Sequence, residues 1–232
     1  MSMLARLLQD DPAAPRLTVY DESQGSRMEF SALTLDNWLS KVGNFLDEEF
    51  DLEDAATIVI DLPVSWQAAV IALGAYNIGR RPVFTDTPEV VEDVALVFTV
   101  AERADTWSDA EECVVVSRDP FGRGVVESGG SLPVGTVDFS PTVRSYGDQY
   151  FGQTADISQW AQPTQATEQP SSPERVIISG WDSAETFEQG VLTPLAACGS
   201  VVVVTGATET PGEDRIASIA RAEHVNHIQT DT

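Results

Sequence analysis

Apolar and polar positions switch between two periods along this chain, and each switch marks a predicted element. Leu4, Leu7 and Leu8 fall at helical spacing ahead of Pro12, predicting a short N-terminal helix that stops before the proline. "RLTVYD" and "RMEFS" then alternate around "ESQGS", a turn containing glycine, and predict a hairpin. Ser31 stands where an N-cap belongs. Leu35, Trp38, Leu39, Val42, Phe45 and Leu46 line one face of the helix it would start.

The next run, "ATIVID", is continuously apolar, as in a strand buried on both faces of a parallel sheet. "SWQAAVIALGAYNIG" is apolar nearly all round, which puts that helix inside a larger body, and Gly79 can close it in the left-handed conformation. With "RPVFTD" as the following strand, Thr57 to Asp86 reads as a βαβ unit. "DVALVFTV" and "ECVVVS" continue the strands to about Ser117, and from Asp119 to Pro173 the pattern weakens into turn-rich sequence. "RVIIS", a helix from about Asp182 to Ala197, "SVVVVTG", a helix from about Glu213 to Glu223 and the strand "HVNHIQ" follow.

Two stretches repeat one order: strand, turn, helix, a small-residue helix end with Gly79 or Gly199, strand. The expected fold is therefore α/β, with two βαβ-type layers and mostly parallel sheets. Residues 1–118 form the expected first subdomain with its N-terminal hairpin, 119–173 an irregular connection, and 174–232 a second α/β unit packing with the first. Ligands of such sheets sit beyond the carboxyl ends of the strands. That rule makes Asp61, Pro63, Ser65 and Trp66 in one turn, and Gly180, Trp181, Asp182 and Ser183 in the other, the candidate ligand-lining residues.

Composition narrows the partners. With 37 acidic residues against 13 Lys and Arg, a formal charge of -24 repels phosphate backbones and anionic membranes, so neither nucleic acid nor a membrane is expected. The acidic runs at Asp47 to Glu49, Glu89 to Asp93 and Asp109 to Glu112 read as solvated faces. Val191 to Ala207, the longest apolar stretch, is interrupted by Pro194, Gly199 and Gly206 and falls short of the ~20 residues a spanning helix needs. No export signal is read at the start, and Cys113 and Cys198 read as reduced, buried thiols, so a cytoplasmic protein is expected.

Catalytic patterns are scarce. Lys41, the single lysine, lies mid-helix without the glycines of a Walker loop, and there is no G-x-S-x-G elbow. His224 and His227, on one strand, would point to opposite faces, so no metal site is expected. No residue is assigned a catalytic role.

Several segments carry a resemblance. "MEFSALTLDNWLSKVGNFL" resembles the helix that opens adenylate-forming enzymes, the superfamily of acyl-CoA synthetases, nonribosomal-peptide adenylation domains and luciferases. "IVIDLPVSWQAAVIALGAYNIGRRPVFTD" and "VLTPLAACGSVVVVTG" are similar to two further segments of that superfamily. "RMEFSALTLDNWLSKVGNFLDEEFDL", "DLPVSWQAAV", "SRDPFG" and "VDFSPTVRSYGDQY" together resemble a small actinobacterial family of unknown function, related to the N-terminal part of those enzymes. The resemblance covers nearly the whole chain.

It implies the N-terminal subdomains of an acyl-CoA synthetase, with a nucleotide or an acyl group as the ligand classes. It also implies a phosphate loop of the type T-S-G-T-T-G-x-P-K-G ahead of "RVIISG". There the chain has "QPTQATEQPSSPERV", with neither glycine nor lysine and with Arg175 as the one substitute cation. The superfamily's aromatic-x-x-T-E segment, ribose-binding Asp and catalytic-Lys domain fall beyond residue 232. In the resembling enzymes the turn matched by Gly180 to Ser183 presents a His or aromatic residue to the acyl pocket, and here that residue is Trp181. The expectation is a degenerate homologue that binds a small molecule without activating it. The alternatives are a residual adenylate-forming ligase working with a partner chain, and a homodimeric or partner-binding structural module.

Overall fold

A computed structural model describes residues 2–50, 52–53, 55–161, 173–206 and 212–228. In chain order its elements begin with α1 (Ala5–Asp10), β1 (Pro15–Asp21), β2 (Ser26–Ser31), α2 (Ala32–Glu49), β3 (Thr57–Asp61), α3 (Trp66–Asn77) and β4 (Val83–Phe84). Then come β5 (Val94–Thr99), β6 (Glu112–Val115), β7 (Val137–Asp138), α4 (Phe139–Arg144) and β8 (Arg175–Ile178). The last are α5 (Ala184–Phe187), α6 (Thr193–Ala196), β9 (Ser200–Thr205), α7 (Glu213–Ala222) and β10 (His227–Ile228). The chain divides into two units, Met1–Asp36 with Ala155–Thr232, and Asn37–Thr154, the division falling within α2.

The first unit holds a five-stranded sheet in the order β10-β8-β9-β1-β2. All its pairings are parallel except the β1–β2 hairpin. The hairpin is the one the alternation predicts, but its partner is β9: Leu17 lies opposite Val201 and Val19 opposite Val203. Chain order alone places the hairpin with residues 1–118, since periodicity reports which strands exist and carries nothing about which distant strand each will meet. Ile177, Val202, Val204 and Ile219 form the core under α7.

The helix expected from Asp182 to Ala197 is three pieces, α5, a π-helical turn Glu188–Leu192, and α6. Pro194 has no amide hydrogen to continue the ladder, and the Thr193 amide reaches back five residues to the Glu188 carbonyl, widening the turn. The Thr193 hydroxyl donates to that carbonyl at 2.9 Å. The helix end also differs from expectation. Cys198, at φ +60°, takes the left-handed position, whereas Gly199 is where the chain comes closest to Glu174: a Cβ there would stand 2.4 Å from the Glu174 carbonyl oxygen.

The second unit holds an all-parallel sheet in the order β4-β3-β5-β6-β7. Its inner strand β3, between β4 and β5, is buried from Ile58 to Asp61, as the unbroken apolar run requires. Every residue of α3 is buried. Phe45 of α2 meets Phe98 and Phe139 at centroid distances of 6.3 and 6.0 Å. Ser65 caps α3 by accepting from the Ala68 amide at 3.2 Å, and Gly79, at φ +83°, ends the turn after it as predicted. In the first unit, the Ser31 hydroxyl accepts from the Thr34 amide in the expected capping geometry of α2.

Close approach of α2 and α3 depends on Gly74, where a Cβ would stand 2.3 Å from Val42. Gly74→Ala should destabilise the protein by about 1–3 kcal/mol despite alanine's better helix propensity, because a β-branched side chain cannot swing clear. Chemical denaturation should show the Gly74→Ala/Val42→Ala double variant less destabilised than the two single losses together. Strict additivity would mean that Val42 is not what the glycine makes room for.

The region from Asp119 onward, weakly patterned in sequence, is built from short elements tied by side chains. Lys41 donates to the Tyr146 carbonyl at 2.6 Å and to Asp148 at 3.1 Å, and Asn44 donates to the carbonyls of Gly147 and Gln149. Tyr146 and Tyr150 donate to Glu49 and Asp47, so part of one acidic run at the end of α2 serves as acceptors. Cys113 and Cys198 are free, and both are half-buried rather than buried. No helix among the described residues is long and apolar enough to cross a membrane.

Candidate functional site

Both sheets reverse their strand order at one point. In the second unit β4 follows β3 on one side and β5 returns to the other; in the first, β9 follows β8 on one side and β10 returns to the other. The three-strand pattern β4-β3-β5 is thus repeated as β9-β8-β10, which gives the sequence repeat a topological basis. Reversal points leave a crevice at the carboxyl ends of the strands. The candidate turns stand there, Asp61 to Trp66 following β3 and Gly180 to Ser183 following β8. The two turns belong to different units.

In the second unit, Asp61 ends β3 with 6 % of its surface exposed. Its Oδ2 accepts from Thr99 Oγ1 at 2.8 Å, Arg103 Nε at 2.7 Å and Trp107 Nε1 at 2.7 Å. Thr99 ends β5 on the opposite side of the reversal, and Arg103 and Trp107 come from the 3₁₀ turn Ala101–Trp107. Arg103 also donates to the Asp86 carbonyl. An oxygen that already accepts three hydrogen bonds, one from a guanidinium, is a poor nucleophile. Asp61 therefore holds the crevice together.

The rest of this turn is structural in a similar way. Pro63 is exposed, Ser65 caps α3, and the Trp66 indole donates to the Pro120 carbonyl at 2.9 Å while meeting Trp38 at a tilt of 59° with ring centroids 5.4 Å apart. Gln67 donates to the Asp119 carbonyl at 2.8 Å. The segment Ser117–Arg123 is thereby drawn to the first turn of α3, and a Cβ at Gly122 would stand 2.7 Å from the Trp66 ring.

In the first unit, Gly180 takes φ +138°. Trp181 is buried and meets Phe187 edge to face at 5.0 Å. Asp182 is exposed and accepts from Thr186, and Ser183 caps α5 in a reciprocal box with Thr186. Ser65 and Ser183 thus play one role at matching places in the repeat.

Arg175, the substitute cation for a missing phosphate loop, is committed elsewhere. It pairs with Glu223 at 2.7 Å and donates to Thr18 and Ser200. Glu223, 8 % exposed, also accepts from Arg27 at 2.8 Å and Tyr20 at 2.5 Å. These donors, Arg27 foremost, hold the Glu223 carboxyl down at about 2. The segment expected to hold the phosphate loop, 162–172, lies outside the described residues.

His224 does not share a strand with His227: it sits at φ +54° in the turn after α7, so strand alternation does not govern the pair. Among the described residues no group of three or more His, Cys, Asp or Glu side chains could hold a metal ion. Sequence reasoning found Asp61 and missed its three donors. Arg103 and Trp107 sit in a short acidic segment with no periodic signal, and only the β5 pairing brings Thr99 beside Asp61.

No family model matches the chain. A Mycobacterium tuberculosis (strain ATCC 25618 / H37Rv) protein described as a TIGR03089 family protein is 33% identical over 234 residues, covering 94% of this chain and 93% of its own length. Among solved structures, an acyl-CoA synthetase from Brucella canis superposes with a TM-score of 0.71 at 17% identity, over 98% of this chain. The chain spans 47% of that synthetase. At that identity the likeness establishes the acyl-CoA synthetase-like fold: α/β with two mostly parallel sheets.

Proposed function

The chain belongs to the TIGR03089 family, and from that premise we propose that it is an acyl-CoA synthetase-like protein that binds a nucleotide or acyl group at the carboxyl ends of its strands without adenylating it. The observation that carries this reading is the closure of Thr99, Arg103 and Trp107 on Asp61 at the reversal point of the second sheet. Donors that could meet an incoming phosphate meet the protein's own carboxylate, and a triphosphate would face that charge. Arg175, paired with Glu223, points the same way, as does a segment 162–172 without glycine or lysine. In the first unit, Trp181 and the Ser183 turn stand at the end of β8, and an aromatic ring beside a polar turn is consistent with this reading. Two free thiols fit a cytoplasmic location.

Calorimetry with AMP, ATP, CoA and a non-hydrolysable acyl-adenylate analogue, followed by pyrophosphate exchange, tests this. AMP or the analogue should bind more tightly than ~1 mM, with no exchange above background. Exchange would overturn the reading in favour of a residual ligase. No binding by any of the four would favour a homodimeric or partner-binding module, for which Phe121 and Phe151, at 74 % and 89 % exposure, are the supporting feature.

A further inference from the structure

Helix α4 grips the loop between β6 and β7 from both ends. Asp138, directly before the helix, accepts from the Val126 amide at 3.4 Å through Oδ2. Arg144, its last residue, donates to the Gly122 carbonyl at 2.9 Å and to both oxygens of Glu127 at 2.7 Å. Between these grips the loop closes on itself: the amides of Ser128, Gly129 and Gly130 bond to the carbonyls of Gly124, Val126 and Val125, and the Gly124 amide bonds to Glu127. Gly122 and Gly129 carry positive φ at either side. Val125 pins the loop to Ala104 and Val115.

One contact in this arrangement is incomplete. Asp138 is 8 % exposed, and its Oδ1 is buried without a hydrogen-bond partner. It lies against Gly124, where a Cβ would stand 3.0 Å away, so the closed loop shuts that oxygen off from water. We propose that the loop Gly122–Gly130 is a lid at the carboxyl end of the second sheet, latched by α4, and that ionisation of Asp138 loosens the latch. Facing Asp138 are the amides of Val125, Val126 and Ser140 and the carboxylate of Glu127, which Arg144 holds. Burial pushes the Asp138 carboxyl up from its ordinary range, and the three amides only partly oppose it. The closed lid thus prefers the protonated acid. Closure is fully favoured at low pH and weakens as pH rises through the closed-state pKa. The lid opens onto the strand ends where the ligand of the proposed function would lie, but its motion stands apart from that reading and is measured without ligand.

Amide hydrogen exchange of the full chain, corrected for intrinsic rates, reads the lid directly. Between about pH 4 and about pH 8, protection of residues 124–130 should fall by about fivefold or more. Asp138→Asn should flatten that fall, and Glu127→Gln should leave it intact. Val125→Ala should raise exchange at every pH without changing the slope. Emission from Trp66, whose indole holds the Pro120 carbonyl, should shift with the same pH profile. Protection independent of pH in the wild type, or a slope abolished by Glu127→Gln, would overturn the proposal, and both results are obtainable even if Asp138→Asn does not fold.

Discussion

Asp61→Ala is expected to lower unfolding stability by about 3–5 kcal/mol in urea denaturation, near the upper end for a single substitution. The loss has three parts that arrive together. Thr99 and Trp107 are buried and would be left with unanswered donors, each costing about 1–3 kcal/mol. Arg103, its side chain 35% exposed, would recover part of its hydration. Asp61→Asn keeps one acceptor of the same shape and should cost about half as much. A sizeable loss in the isosteric asparagine variant distinguishes a hydrogen-bonding hub from a residue that merely fills space. A loss below about 1 kcal/mol in Asp61→Ala would mean that the crevice can be rewetted freely, and would remove the ground for calling it closed.

The second large effect concerns acid. Glu223 is held at about 2, against an ordinary 4.5, by Arg27, Tyr20 and Arg175, which outweigh its burial. Because the folded-state value is depressed, the stabilisation it contributes is present above the unfolded value and drains away as pH falls from about 4.5 through about 2. The shift corresponds to about 3 kcal/mol. Glu223→Gln should lose a similar amount at neutral pH and show a flatter stability profile across that acid window, followed by circular dichroism. A variant with the wild-type acid limb would show that other carboxylates govern acid unfolding.

These hubs mark where sequence reading stopped. The strands β3, β8 and β9, the almost wholly apolar α3 and the capping serines Ser65 and Ser183 are written in local pattern, since burial on two faces and a helix start each need particular residues within a few positions. Asp61 and the Gly180 turn could be placed at strand ends because β3 and β8 are legible in local pattern, and strand ends are where ligands of such sheets are expected. Thr99, Arg103, Trp107, Arg27 and Glu223 could not, because each acts through a partner fixed only by strand order. Glu223 and Tyr20 meet across nearly the whole chain. The weakly patterned region after Asp119 is held by side chains bonding to loop carbonyls, an arrangement without periodicity. The π-helical turn and the left-handed Cys198 escaped because a helix with one widened turn has almost the same apolar spacing as a regular one.

The pairing of β1 with β9 also sets a timetable for synthesis. Residues 15–21 leave the ribosome long before residues 200–205 exist, and the whole of Asn37–Thr154 is made in between. Until then β1 has β2 as its only available neighbour in this sheet, and a lone two-stranded ribbon is marginal in water. Its apolar side, Leu17 and Val19, waits uncovered through that interval. The outer strand of the ribbon carries Arg27 and Glu29 in mutual contact, the kind of charged edge that discourages a nascent strand from joining its neighbour on a crowded polysome.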